Sequence, residues 1–175
     1  ASTRPWKITT KALPSFPQQL SPAFWASGRL VKLRYFMKHE TVGVPLWRQL
    51  QATASVIAAV RAGASGTAAI EAVNSELRPG VQSLAFHVWR NLGRAEALRD
   101  QLAKKRPPVS VDALLCVALA LGWQEDHAPY DGFTLVNQTV EAAKRTHGLA
   151  PHANFLNACL RRFLRERDLL VATTD

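Results

Sequence analysis

A chain of 175 residues has room for one domain, and an apolar fraction of 47%, dominated by Ala and Leu, is ordinary for a globular protein and favours helices. No apolar run is long enough to span a bilayer, and no CxxC spacing or His/Cys cluster indicates zinc, so a membrane protein and a zinc module are excluded. The net charge of +9 includes six cations and no acid in residues 1–36, which leaves +3 for residues 37–175. Any nucleic-acid contact must therefore depend on local basic clusters.

Residues 1–36 differ from the rest of the chain because they contain four prolines and show no sustained helical or strand periodicity of apolar residues. Helical periodicity begins shortly after Met37, the only methionine in the sequence. We therefore predict that Met37 is the natural start of a domain at residues 37–175, and that residues 1–36 are a leader added for expression or translated from upstream sequence. A genuine extension is the alternative. A secretory signal is not indicated, because the basic residues are scattered and no compact apolar core accompanies them.

Four helices are predicted between residues 45 and 102, separated by glycine and proline. The first covers residues 45–62 and repeats apolar residues at helical spacing. Gly63 and Gly66 end it, and a short helix follows. A third helix is predicted after a turn at residues 78–80. Gly93 is predicted to end it, and a short fourth helix follows.

A basic, stiff connector precedes the most apolar segment of the chain. It consists of Lys104, Lys105 and Arg106 followed by two prolines. Ser110 is predicted to cap the next helix, residues 111–123. That helix is apolar almost all round, which is expected of a helix at the centre of a bundle.

Both cysteines, Cys116 and Cys159, are embedded in apolar helical sequence. We interpret them as small core residues of a reducing, cytoplasmic compartment, and not as a disulfide. A catalytic role is not indicated, because a nucleophilic thiol needs exposure and a lowered pKa. His87 is likewise expected to be a buried, hydrogen-bonded imidazole.

Two amphipathic helices are predicted at the C-terminal end, after a polar loop at residues 124–133. Thr134 is predicted to cap the first of them, and a turn from Gly148 to Pro151 joins the two. The second helix is apolar on one face, at Leu156, Cys159, Leu160 and Phe163, and carries Arg161, Arg162, Arg165 and Arg167 elsewhere. Because Asn157 is unfavourable inside a helix, its amide is expected to tie a neighbouring loop to this helix. Direct contact with a nucleic-acid base is the alternative.

This C-terminal pair, VNxxVExAK followed by FLNACLRR, resembles the end of the NusB-like RNA-binding domain. It is most similar to the version at the N-terminus of the small-subunit rRNA 5-methylcytosine methyltransferases of the Sun/RsmB family. Weaker similarities in matching order, including PLWRQLQATASVIAAV and VDALLCVALALG, extend the resemblance over roughly residues 45–170. The resemblance implies an all-α fold, a NusB-like bundle of about seven helices around a central buried helix.

The resemblance also implies a function: an RNA-binding accessory domain that helps a 16S rRNA methyltransferase dock on small-subunit rRNA. The implied partners are rRNA, the enzyme's own C-terminal catalytic domain and, as a further candidate, a ribosomal protein. The chain shows no glycine-rich turn for S-adenosylmethionine and no loop cysteine, so the cofactor is expected in a catalytic domain absent from this chain. The chain alone is then not an enzyme. A free-standing transcription antitermination factor and a protein-interaction module are the alternatives.

Two basic clusters and one isolated cation are the candidate RNA contacts. They are Arg161, Arg162 and Arg165 on the last helix, Lys104, Lys105 and Arg106 in the connector, and Arg48 in the first helix. Arginine suits this role because its guanidinium pairs with phosphate and stacks on unpaired bases. The alternative for each cluster is a solvated face or a solubilising linker. Around Met37 only Lys38 and Arg48 are basic, whereas free-standing NusB factors tend to begin their first helix with more basic residues. This difference favours the methyltransferase-linked version.

Overall fold

The structure is a computed structural model that describes residues 44–124, 126 and 128–174. Six α-helices make up most of these residues. They are α1 (Leu46–Arg61), α2 (Gly66–Glu71), α3 (Arg78–Leu102), α4 (Val109–Gly122), α5 (Gly132–Arg145) and α6 (Ala153–Ala172), with a 3-10 turn (Ala150–His152) before α6. The described part contains no strand, which confirms the all-α fold. The predicted leader at residues 1–36 and the start at Met37 lie outside the described residues.

Helix α4 is the centre of the bundle, as its uniformly apolar sequence predicts. It packs against α1, α3, α5 and α6, and every residue from Val111 to Gly122 is buried. At its C-terminal end a Cβ on Gly122 would lie 3.1 Å from Leu135 on α5 and 3.4 Å from Phe163 on α6. The absence of a side chain there lets three helices approach closely.

A smaller apolar cluster attaches α2 to one side of the bundle. It contains Val56 of α1, Ala69 and Ile70 of α2, and Val81 and Ala85 of α3. The chain leaves α1 through Gly63, whose φ of 101° is a left-handed conformation that favours glycine. Ser65 then caps α2 by accepting a hydrogen bond from the backbone N–H of Ala68 at 3.1 Å.

The predicted break at Gly93 is wrong, because α3 continues from Arg78 to Leu102. One helix therefore replaces the predicted third and fourth, and the described residues form six helices instead of about seven. A glycine inside a helix costs only about 1 kcal/mol relative to alanine. Burial of Val88 before it and of Ala95 and Leu98 after it outweighs that cost, since all three have no solvent exposure.

Replacing Gly93 with Ala is expected to raise the free energy of unfolding by about 0.5–1 kcal/mol. Gly93 is exposed, does not have a positive φ, and a Cβ built there meets nothing within 4 Å. Urea unfolding followed by circular dichroism measures the change. Gly63→Ala is the matched control: it also meets no neighbour, but its positive φ should make it destabilising. A decrease in stability in Gly93→Ala would contradict the continuous helix.

Two predicted helix caps are also replaced by other residues. Helix α4 begins at Val109 after Pro108, with no side-chain cap, so Ser110 lies inside the first turn. Helix α5 is capped by Asp131, whose carboxylate accepts from the backbone N–H of Thr134 at 2.9 Å. Thr134 is therefore the donor of the capping interaction and not the cap.

Candidate functional site

Helix α6 turns three arginines to solvent because its opposite face is held in the core. The apolar residues of that face are all buried: Leu156, Cys159, Leu160 and Phe163. Arg161, Arg162 and Arg165 are exposed, and we call them the α6 cluster. This two-faced arrangement agrees with the amphipathic pattern of the sequence.

The three arginines of the α6 cluster differ in their partners. Nε of Arg161 donates to the amide oxygen of Asn157 at 3.0 Å, and Nε of Arg162 donates to a carboxylate oxygen of Glu166 at 2.9 Å. The described residues include no ion-pair partner for Arg165. Arg161 and Arg165 therefore carry positive charge that no carboxylate in the described part of the chain neutralises.

In the structure, the amide of Asn157 contacts Arg161 and not the neighbouring loop that was predicted. Its half-buried amide accepts from Arg161, one turn further along the same helix. Residues four apart face one another on a helix, which explains the pairing. Asn157 thus orients the guanidinium of Arg161 and leaves its charge in place, because the amide of Asn157 is neutral.

A kink separates the α6 cluster from the end of the helix. Glu166 has non-helical torsions, with φ −112° and ψ 16°. Beyond the kink, Leu170 is buried, and Thr173 and Thr174 each share a hydrogen bond of 2.9 Å with the side chain of Gln101 on α3. The C-terminus of α6 is thereby held beside the start of the basic connector.

The connector residues Lys104, Lys105 and Arg106 are exposed, in agreement with a projecting basic segment. They follow Ala103, which is buried, and precede the start of α4. Nε of Arg106 lies 3.9 Å from a carboxylate oxygen of Asp112. Arg106 therefore forms a long ion pair with Asp112, whereas the two lysines have no ion-pair partner among the described residues.

Arg48 lies apart from the connector. It is half-buried at the start of α1, where it lines an open groove between α1 and the segment from α2 to the start of α3. The other end of α1 is Arg61, which reaches Asp112 near the connector. At about 1.5 Å per residue, Arg48 lies roughly 20 Å from Arg61 along the helix. The fold therefore does not unite all of the predicted contacts in one patch.

A basic and aromatic pair near Arg48 was missed by the sequence reasoning. The guanidinium of Arg145 at the end of α5 lies over the ring of Trp47, 5.0 Å from its centroid. The backbone N–H of Trp47 also donates to Gln138 of α5 at 3.1 Å. No local pattern indicates this pair, since its members are far apart in sequence and meet only when α1 packs on α5.

A buried carboxylate at the start of α4 was also missed. Asp112, whose side chain is 5% exposed, accepts from Arg61 at 2.9 Å and from Arg99 at 2.5 Å. Arg61 ends α1, and Arg99 lies in the last turn of α3. The available signal was a single acid within an otherwise apolar helix. This charge network joins three helices and, through Arg106, the connector.

The network keeps its arginines charged although they are withdrawn from water. Burial alone would lower the pKa of Arg99, but its hydrogen bonds with Asp112 and Asp100 outweigh that effect and raise it. Arg61 also donates to Glu96 at 2.5 Å. These arginines are therefore occupied inside the protein and are not available to a ligand in the way that the α6 cluster is.

The thiols are placed as the sequence predicts. Cys116 and Cys159 are both free and buried. Burial raises the pKa of each thiol, which disfavours the reactive thiolate. His87 is half-buried, and burial lowers the pKa of its imidazole, so it is neutral near pH 7.

Neither a membrane-spanning helix nor a metal-binding cluster is found in the part of the chain that the structure describes. No helix there is both long and apolar enough to cross a membrane. No group of three or more His, Cys, Asp or Glu residues there is arranged to hold a metal ion.

Comparison with known protein families identifies a match. A family model described as NusB family matches residues 47–165, which is more than half of the chain. The matched range begins with α1 and ends within α6, so it contains the central helix and the α6 cluster. No curated protein and no solved structure matches the chain.

Proposed function

The chain belongs to the NusB family, and on that premise we propose that it is an RNA-binding domain whose α6 cluster contacts the phosphate backbone. Membership of this family suggests RNA binding, and not catalysis, as the role of the domain. The observation that carries the proposal is the exposure of Arg161 and Arg165 without a carboxylate partner among the described residues. A charged guanidinium free of internal ion pairs can form bidentate hydrogen bonds with phosphate.

The proposed RNA is small-subunit rRNA. The support for this choice is the similarity of the C-terminal helices to the N-terminal domain of the Sun/RsmB methyltransferases. In this proposal the domain helps to dock a 5-methylcytosine methyltransferase domain, which would bind S-adenosylmethionine, on its rRNA substrate in the cytoplasm. A ribosomal protein is a further proposed partner.

Changing Arg161, Arg162 and Arg165 together to Gln is expected to weaken binding to a small-subunit rRNA fragment. The logarithm of the binding constant should also depend less steeply on the logarithm of salt concentration, by about 0.7–1 unit for each phosphate that is no longer neutralised by an arginine. Fluorescence anisotropy over a salt series measures both quantities. The helix content should not change, because all three side chains are exposed.

The control for this experiment is Lys104→Gln combined with Lys105→Gln. Both lysines are exposed, and leaving Arg106 intact preserves its contact with Asp112. If only this control weakens binding, the RNA meets the connector and not α6. If neither variant changes affinity or salt dependence, the RNA role loses its physical support and a protein-interaction module becomes the better proposal. Binding that requires an added ribosomal protein would favour a transcription antitermination factor.

A further inference from the structure

The outer side of α3 carries an aromatic and basic strip that is separate from the α6 cluster and the connector. Gln82, Phe86 and Arg90 are spaced four residues apart, so they share one face, and all three are exposed. Phe86 keeps 45% of its surface accessible. We call these three residues the α3 strip.

Phe86 contacts a second aromatic side chain although it is exposed. Its ring meets Trp89 edge to face, with centroids 5.4 Å apart and an interplanar angle of 73°. Trp89 in turn packs against both apolar clusters of the bundle and closely against Gly66, where an added Cβ would lie 3.0 Å from the indole. The free face of Phe86 is therefore a preorganised platform, which reduces the entropy cost when a flat ligand stacks on it.

The part of α3 around Phe86 carries positive charge and no carboxylate. Arg90 has no ion-pair partner among the described residues, and α3 contains no carboxylate from Arg78 to Ala95. Glu96, the first acid of the helix, is bound by Arg61. The neighbouring imidazole of His87 is neutral near pH 7, because burial and the charge of Arg90 lower its pKa. An anionic ligand at the α3 strip therefore meets no opposing carboxylate on its own helix.

We propose that the α3 strip binds an unpaired nucleotide of single-stranded RNA, with the base stacked on Phe86, the adjacent phosphate on Arg90, and the amide of Gln82 available to the base edge or sugar. An exposed aromatic ring beside a cation matches such a ligand because every base has a stacking face and every nucleotide carries a phosphate. Bases within a duplex are already stacked, so the strip discriminates against double-stranded RNA. This inference rests on the proposed RNA-binding function and assigns single-strand preference to α3.

The chain contains a matched control for this proposal. Phe133, at the start of α5, is 80% exposed and therefore more accessible than Phe86. Its surroundings are different, since it follows the capping carboxylate of Asp131, and Asn137 occupies the position four residues later. Exposure without a cation one turn further along the same helix should not support RNA stacking.

The experiment measures fluorescence anisotropy of the full chain with a short uridine-rich RNA, used single-stranded and annealed to its complement. Phe86→Ala should weaken binding to the single strand by at least about fivefold and leave duplex binding unchanged, because it removes the ring on which an unpaired base stacks. Arg90→Gln should reduce the log–log salt slope for the single strand by about 0.7. Phe86→Tyr should retain the affinity, and Phe133→Ala should behave as the unaltered protein.

The outcomes separate this inference from the proposed function. If the unaltered chain binds single-stranded RNA but Phe86→Ala binds it equally well, the α3 strip is not the site, and the α6 cluster remains a valid proposal. The assignment is also overturned if Phe86→Ala weakens binding to the single strand and to the duplex equally. The same holds if Phe133→Ala weakens single-strand binding as much as Phe86→Ala does. If the unaltered chain binds neither RNA, the proposed function and this inference both fail.

Discussion

Replacing Asp112 with Asn should lower the free energy of unfolding by about 3–5 kcal/mol, the range measured when one partner of a buried ion pair is removed. Asp112 uses its two carboxylate oxygens for two different arginines, Arg99 and Arg61. An amide retains only one of those acceptors and presents an N–H group to the other guanidinium. Arg99, with 4% of its surface exposed, would then keep a buried charge without its main counterion.

Urea unfolding at neutral pH measures this decrease. Asp100→Asn is the control, because Asp100 also accepts from Arg99, at 2.9 Å, but its side chain is 69% exposed. An exposed pair contributes at most about 1 kcal/mol, so the control should remain close to the unaltered protein. If both variants are destabilised by the same small amount, the network at the start of α4 does not hold α1 and α3 together.

Replacing Leu115 with Ala should cost about 2–5 kcal/mol of stability, since a packed side chain is removed from a site that can collapse only in part. Leu115 has no solvent exposure and lies in the middle of α4, which four other helices surround. The same unfolding experiment, with circular dichroism as the signal, measures the change.

Val109→Ala is the matched control for Leu115→Ala because it shortens an aliphatic side chain at the exposed start of the same helix. Val109 is 68% exposed, so its replacement should change stability by less than about 0.5 kcal/mol. A decrease below about 1 kcal/mol for Leu115→Ala would be typical of a surface residue and would contradict the central position of α4.

The sequence predicted those elements whose faces are marked by hydrophobicity. Uniformly apolar residues place α4 in the centre, and a stripe at helical spacing divides α6 into a buried face and an arginine face. Both predictions are confirmed, because burial of apolar surface is a large, nearly additive effect that local sequence already encodes. The exposure of Lys104 and Arg161 follows from the same principle.

The predictions that were wrong depended on small local energies. Gly93 was expected to end a helix, yet its cost of about 1 kcal/mol is exceeded by the packing of the residues on either side. Ser110 and Thr134 were expected to cap helices, but the cap positions are Pro108 and Asp131, earlier in the chain. Helix ends are determined by competing terms of similar size, so propensity alone places them only to within a few residues.

The sequence by itself determined that this chain is an all-helical NusB-family domain with its two basic clusters on the outside, because periodicity and composition report which surfaces leave water. Only the tertiary structure decided which polar groups meet. It pairs Asp112 with Arg61 and Arg99, places Arg145 over Trp47, and separates Arg48 from the connector by the length of α1. These contacts join residues distant in sequence, and their energies depend on burial and distance, which exist only after the helices have packed.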